Sequence, residues 1–428
     1  MFTKLSFSTA MILFLFLLSA CQQETIEPEQ TETPHAFTGD WEGEIIIPMQ
    51  PLSIEILIDE DQATLSIPVQ GIFDEPFDTV ELDEQRLSLE TTLQGQTILF
   101  EGEREEEEIS GEFTQLGQQL PFQLRFQEEE ELTELTLDSS ETMKAKIDFP
   151  QEEQDAFPVA LILQGSGPTD KHGNSYLLPG RNDNLKFISE HLNENSIATI
   201  RYDKRGIGDN LDLAPTSAET TFDDYIQDAI AWLEYASQNE SFTSVYVIGH
   251  SEGALVGLAA ALEENVDAYF SLAGAGRTID DVLLEQIEED PLITDELLQE
   301  SADIIDHLSK GDSVDEISLE LQSLFNQSVQ PFLSSWMAYD PAELIQDVTF
   351  PTFIIHGEND QQIPVDDAHL LHDANNDTEL LLIEDMGHAL RDVSEDIEEE
   401  ALSAISSEEP VSEELLEILT TRILNQSD

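Results

Sequence analysis

Two different rhythms of apolar and polar residues run along this chain. From about Phe37 to Phe126 the two kinds alternate in short runs. Among them are Glu44-Ile45-Ile46-Ile47, Ile54-Glu55-Ile56-Leu57-Ile58, Ala63-Thr64-Leu65-Ser66-Ile67, Arg86-Leu87-Ser88-Leu89, Thr97-Ile98-Leu99-Phe100 and Phe122-Gln123-Leu124-Arg125-Phe126. Successive side chains of a strand face opposite sides, so a period of two marks strands with one buried face. Gly, Pro, Asp and Gln separate the runs, which predicts a small all-β meander, barrel or sandwich over residues 37–130. This module holds no histidine and its carboxylates fall on outward positions, so a structural or substrate-guiding role is expected of it.

Past Glu128 to Glu131 the rhythm changes. Val159-Ala160-Leu161-Ile162-Leu163 is apolar without a break, as in a strand covered on both faces. Ile197 to Tyr202, Val245 to Ile248, Ala268 to Leu272, Phe350 to Ile355 and Leu380 to Ile383 repeat that pattern. Helical stripes lie between them, such as Phe222, Ile226, Ile230 and Leu233 on one face. A last helix is expected from near Pro410, with Leu415, Leu419 and Ile423 aligned. This alternation predicts an α/β architecture over residues 131–428, a mostly parallel sheet flanked by helices. From about Thr278 to Asp347 the chain is helical and strand-free, and reads as a cap inserted over the site.

Charge adds a constraint on surroundings. The 428 residues carry 92 Asp plus Glu against 16 Lys plus Arg, a formal net charge of −76. Nucleic-acid binding needs clustered cations and is excluded on that ground. Such a surface repels itself in dilute buffer, whereas the Debye length shrinks from ~10 Å at 0.1 M salt to ~3 Å at 1 M. The acids run through the whole chain rather than forming a tail, so a salt-adapted folded surface is expected. At the N-terminus, Lys4 precedes the apolar run Met11 to Leu18, a signal peptide over residues 1–20. Leu18-Ser19-Ala20-Cys21 resembles the bacterial lipobox, which implies lipid on Cys21. That residue is the sole cysteine, leaving no intrachain disulfide and no cysteine metal site. Residues 21–36 read as a flexible linker. The expected location is the outer face of a bacterial cell membrane, held by lipid, with plain secretion as the alternative.

Gly249-His250-Ser251-Glu252-Gly253 carries the chemistry. It matches G-x-S-x-G between the apolar strand Val245 to Ile248 and an Ala/Leu-rich helix, the context in which a strained turn lifts a nucleophilic serine off the sheet. The N–H of Glu252, at the helix start, is a candidate oxyanion donor. The second donor is expected from Gln164-Gly165-Ser166-Gly167-Pro168 after the strand at Val159: Ser166 first, Gly167 as the alternative. An acid and then a histidine should follow in chain order. Asp360 lies in the loop after Phe353-Ile354-Ile355, with Glu358 and Asp366 as competitors. His388 follows the last strand, after Met386-Gly387. His369 and His372, spaced i and i+3, are read as surface histidines rather than metal ligands, and His250 as packing. No metal or cofactor is called for.

Together, Gly165-Ser166-Gly167-Pro168-Thr169-Asp170, Gly173-Asn174, Arg201-Tyr202-Asp203-Lys204-Arg205-Gly206-Ile207-Gly208 and the serine pentapeptide resemble a family of bacterial α/β-hydrolase esterases. That family is similar to serine aminopeptidase-type hydrolases and often carries an N-terminal β module. The resemblance covers roughly Leu135 onward. It implies an α/β-hydrolase fold with a helical cap and a carboxylesterase acting on small or short-acyl esters through an acyl-enzyme. The Asp203-Lys204-Arg205-Gly206 turn is then a structural feature near the site's rim. A serine aminopeptidase or amidase, and a non-catalytic lipoprotein with a hydrolase-like body, stand as alternatives. Oligomeric state is not legible. For the acidic surface the expected outcome is a melting temperature that climbs from low to molar NaCl; a flat profile would dismiss salt adaptation.

Overall fold

The computed structural model describes residues 37–426, apart from 48–50, 71, 94, 128–129, 138–140, 152–153, 179, 214–219, 291, 395–396 and 408. The expected signal peptide, Cys21 and the linker lie outside the described residues.

Nine antiparallel strands make the first sheet: β1 (Gly39–Ile45), β2 (Leu52–Asp59), β3 (Gln62–Ile67), β4 (Ile72–Pro76), β5 (Thr79–Leu82), β6 (Arg86–Leu93), β7 (Gln96–Glu105), β8 (Glu108–Gln115) and β9 (Gln118–Gln127). Their order is β4-β3-β2-β1-β9-β8-β7-β6-β5, so the first strand pairs with the last, Trp41 opposite Phe126. The edge strands β4 and β5 are joined through Phe77. Its N–H donates to Ala63 O at 2.9 Å, and the Thr91 hydroxyl donates to Pro76 O at 3.0 Å. These bonds hold the link against both β3 and β6 and curl the sheet into a half-barrel. The period of two fills its interior. Trp41, Ile56, Leu65, Leu89, Phe100, Ile109, Phe122 and Leu124 are buried there, and the Trp41 indole N–H donates to Phe37 O at 2.7 Å.

The second sheet has eight strands: β10 (Leu132–Thr136), β11 (Thr142–Asp148), β12 (Phe157–Leu163), β13 (Ala198–Arg201), β14 (Phe242–His250), β15 (Ala268–Leu272), β16 (Thr352–Gly357) and β17 (Glu379–Ile383). Their order is β10-β11-β13-β12-β14-β15-β16-β17. From β13 to β17 all pairs are parallel, as the unbroken apolar runs require, while β10 and β11 join antiparallel at one edge. The sequence pattern did not mark that edge pair. In β11 only Met143 and Ala145 are buried, so the strand alternates like those of the first module.

Alternate residues of the central strands feed two cores. Val159, Leu161, Val245, Val247, Tyr269 and Ile354 face one side; Ala160, Ile162, Tyr246, Ile248, Phe270 and Ile355 face the other. Helices α1 (Asn184–Glu194) and Glu413–Gln426 cover the second side through Leu185, Ile188, Leu415, Leu419 and Ile423. Helices α2 (Phe222–Gln238), α3 (Glu252–Glu263) and Val365–Ala374 cover the first. The final helix begins three residues past Pro410. Ser412 is held outside it by donating its N–H to Leu390 O at 2.8 Å, and the helix opens on Glu413 and Glu414.

Between β15 and β16 stand α4 (Ile279–Glu289), α5 (Asp295–Leu308) and several short helical turns. Ile287, Ile304, Ile305, Leu308, Leu321, Phe325, Leu333 and Met337 give this insertion a small core of its own. It is docked by Trp336 stacked on Phe222, centroids 5.3 Å apart, and by Phe222 N–H donating to the Ser335 hydroxyl at 2.7 Å. In the half-barrel, Phe100 meets Phe77, Phe113 and Phe122 at centroid distances of 6.0, 4.9 and 5.2 Å. Phe100→Ala should therefore destabilise that module by about 3–5 kcal/mol, read from urea unfolding.

Candidate active site

Between β14 and α3 the backbone reverses within one residue. Ser251 sits there at φ 55, ψ −119, a left-handed conformation that costs on the order of 1–3 kcal/mol for a side chain-bearing residue. The turn is tight enough that α3 lies against the ends of its neighbouring strands. A Cβ on Gly253 would come within 2.6 Å of the carbonyl oxygens of both Leu163 and Gln164, and one on Gly249 would collide with the Gly253 carbonyl. Only glycine fits at either place. Ser251 N–H donates to Leu272 O at 2.9 Å, which ties the turn to β15 and leaves the hydroxyl above the sheet.

Two loops at the carboxyl ends of β16 and β17 converge on that hydroxyl. His388 Nε2 lies 3.1 Å from Ser251 Oγ, and Nδ1–H donates to Asp360 Oδ2 at 2.9 Å. Asp360 is buried, and its other oxygen accepts the N–H groups of Gln362 at 2.9 Å and Ile363 at 2.8 Å. The competing acids Glu358 and Asp366 are exposed. Burial opposes charge on the His388 ring, yet the Asp360 charge, the hydrogen bond to it and the Glu400 charge together raise its pKa above the ordinary 6.5. For Asp360 burial likewise opposes charge, but His388, His356 and the Ile363 N–H hold its pKa below 3.8.

The sequence reading missed Glu400. It lies on Ile397–Ser403 and is buried, and its Oε1 accepts the N–H of His388 and of Gln361, both at 3.0 Å. One carboxylate thus ties the histidine loop to the acid loop. In a chain this rich in glutamate no local signal separates it from its neighbours. His250 braces the same region, its ring Nε2 2.9 Å from His388 O; burial and the nearby His388 charge push its pKa down to about 3.

A cavity of about 60 Å³ opens beside Ser251. Ser251, Glu252 and Leu255 form its floor; Ile279, Val282, Trp336 and Pro341 close over it from the inserted helices. Ser166 borders it, and the Ser166 N–H has no acceptor among the described residues, whereas Gly167 does not line it. His388 reaches Ser251, and Asp360 reaches His388, from outside this lining. His369 is exposed and His372 rests its Nδ1 3.0 Å from Thr378 Oγ1. Among the described residues no three His, Cys, Asp or Glu side chains gather as a metal site.

Residues 176–292 match the family model described as serine aminopeptidase, S33. That match covers part of the chain, and the strand order and serine turn are those of the α/β-hydrolase fold. The chain is 23% identical to Esterase EstD of Thermotoga maritima over 247 residues, 55% of this chain, and spans about half (55%) of that relative's length. Among solved structures, the chain is similar to Est1E from Butyrivibrio proteoclasticus with ferulic acid bound (20% identity, TM-score 0.45, 69% of this chain and 98% of that one). It is also similar to the esterase domain of a Rhodothermus marinus protein (17% identity, TM-score 0.42, 70% and 99%).

The electrostatics predict a pH dependence. A base works as neutral imidazole, so activity should fall as pH drops through a His388 pKa above the ordinary histidine value. Glu400→Gln removes a charge that raises this pKa, so the acidic limb of kcat/KM should move to lower pH. A loosened loop should also lower kcat by up to about 10²-fold. A limb that stays in place would show that the Glu400 charge does not reach the histidine.

Proposed function

We propose that this hydrolase is a carboxylesterase cleaving small, short-acyl esters through an acyl-enzyme on Ser251. The observation that carries the reading is the unbroken Ser251–His388–Asp360 hydrogen-bond relay beside a small cavity with an apolar wall. His388 takes the Ser251 proton as Oγ attacks the ester carbonyl, then delivers it to the departing alkoxide. Water, deprotonated by the same ring, cleaves the acyl-enzyme, and the proton returns to Ser251. Asp360 keeps the tautomer and stabilises the imidazolium. The N–H groups of Glu252 and Ser166 receive the oxyanion.

Size and lining support the substrate class. The cavity is small, about 60 Å³, and Leu255, Ala275, Ile279, Val282 and Ile363 give it an apolar wall, while Arg277, Gln286 and Gln362 also line it. Among the described lining residues, the one carboxylate, Glu252, is ion-paired with Lys204 at 2.7 Å and Arg277 is paired with Asp367 at 2.8 Å, so no free carboxylate awaits the ammonium of an aminopeptidase substrate. Tethering at a cell membrane through Cys21 and a salt-adapted surface complete the proposal.

Ser251→Ala should abolish hydrolysis and labelling by a fluorophosphonate, while binding and folding persist. On p-nitrophenyl esters the rate should fall from acetate through butyrate to octanoate, and Ile279→Ala should shift the preference toward longer chains. Faster turnover of aminoacyl-anilides than of acetate would reverse the choice of bond, and labelling of Ser251→Ala would remove the assigned nucleophile.

A further inference from the structure

We infer that Lys204 is a positioning residue that aims both halves of the oxyanion hole, an inference that rests on the serine-hydrolase reading above. The residue lies just beyond β13, in a turn the sequence offered only as structural. Its ammonium is buried and has three donors. All three are used: on Gly165 O at 2.6 Å, Gly167 O at 3.1 Å and Glu252 Oε1 at 2.7 Å. The Tyr225 ring lies beneath it at 5.0 Å.

The direction of the Ser166 N–H follows from peptide geometry. Gly165 C=O and Ser166 N–H belong to one planar trans peptide unit, so they point in opposite directions. Drawing the carbonyl onto Lys204 therefore turns the N–H away from it, and that N–H finds no acceptor among the described residues while Ser166 borders the Ser251 cavity. Holding Gly167 O on the same cation stops the loop from rocking about Ser166. The third bond reaches the side chain of Glu252, whose own N–H opens α3 beside the nucleophile. One ammonium thus fixes two donors that come from separate strands.

The turn itself is pinned. Asp203 accepts Lys171 N–H at 2.7 Å and Asp209 N–H at 2.8 Å, and Arg205 pairs with Asp228 at 2.6 Å. Glu252 Oε2 has no partner among the described residues, so without Lys204 that carboxylate is buried with none of them to bind it. The ion pair is a matched unit, and a test must remove both charges together.

The experiment compares wild type with Lys204→Met/Glu252→Gln and Lys204→Arg, each checked for folding by circular dichroism. Activity is measured on p-nitrophenyl acetate and affinity with a trifluoromethyl ketone, whose serine adduct carries the oxyanion. The double variant should lose about 10²-fold in kcat, the scale of one oxyanion donor, with KM little changed. Ketone affinity should fall by the same factor as kcat/KM, and the acidic limb of the pH profile should not move, because His388 is untouched. Lys204→Arg keeps the charge but not the three-way geometry, and should fall between wild type and the double variant. An active wild type beside a folded double variant with unchanged kcat and ketone affinity would overturn this inference alone. So would a loss of kcat that leaves ketone affinity intact. A wild type inert on every ester and unlabelled by fluorophosphonate would overturn the hydrolase reading, and this inference with it.

Discussion

Where β14 becomes α3, two stretches of backbone pass so closely that no side chain fits between them. Gly249 and Gly253 meet that constraint, and the left-handed Ser251 between them takes up the strain. The consequences spread outward. The close pass sets the distance of α3 from β12, which places the Glu252 N–H next to the loop at Ser166. It also raises the serine hydroxyl to where the loops after β16 and β17 can reach it. Strain of this kind persists only where surrounding structure enforces it. Here the enforcement is the doubly buried sheet, whose strands send alternate side chains into two separate cores.

Hydrogen bonds rather than bulk packing give the site its precision. Asp360 has both oxygens engaged, two backbone donors on one and the imidazole on the other, so the carboxylate cannot turn. Glu400 crosses between the loops carrying Asp360 and His388, and Lys204 crosses between those carrying Ser166 and Ser251. Each cross-tie joins segments distant in sequence. Each is also buried, where a charge is worth more than at the surface but is costly if left unpaired.

The same logic governs the scarce cations of this acidic chain. Arg201 meets Asp148 at 2.8 Å, Arg205 meets Asp228 at 2.6 Å, and Arg277 meets Asp367 at 2.8 Å. The last of these fastens the start of the inserted helices to the helix behind the acid loop, since Asp367 also accepts the N–H of Gly276 at 2.9 Å. In each pair one member is buried (Arg201, Asp228 and Asp367), so loss of its partner would leave that charge uncompensated. While the surface carries the charge imbalance, the interior around the site is close to neutral. A cavity with an apolar wall is compatible with that arrangement.

The two rhythms of the sequence determined the fold class, because burial on one face or both dictates period two or an unbroken apolar run. Chain order and the flanking strands likewise pointed to Ser251, Asp360 and His388, which the structure links in one hydrogen-bonded line through His388. Three things were decided only in three dimensions. The antiparallel edge strands β10 and β11 carry the alternating signature of the preceding module, so their sheet cannot be told from periodicity. Glu400 is one glutamate among many, and only burial against two loops distinguishes it. Lys204 resides in a turn whose local pattern says nothing of its reach. Local sequence encodes which face of an element is buried, but the partner of a buried charge lies across the fold, and packing alone selects it.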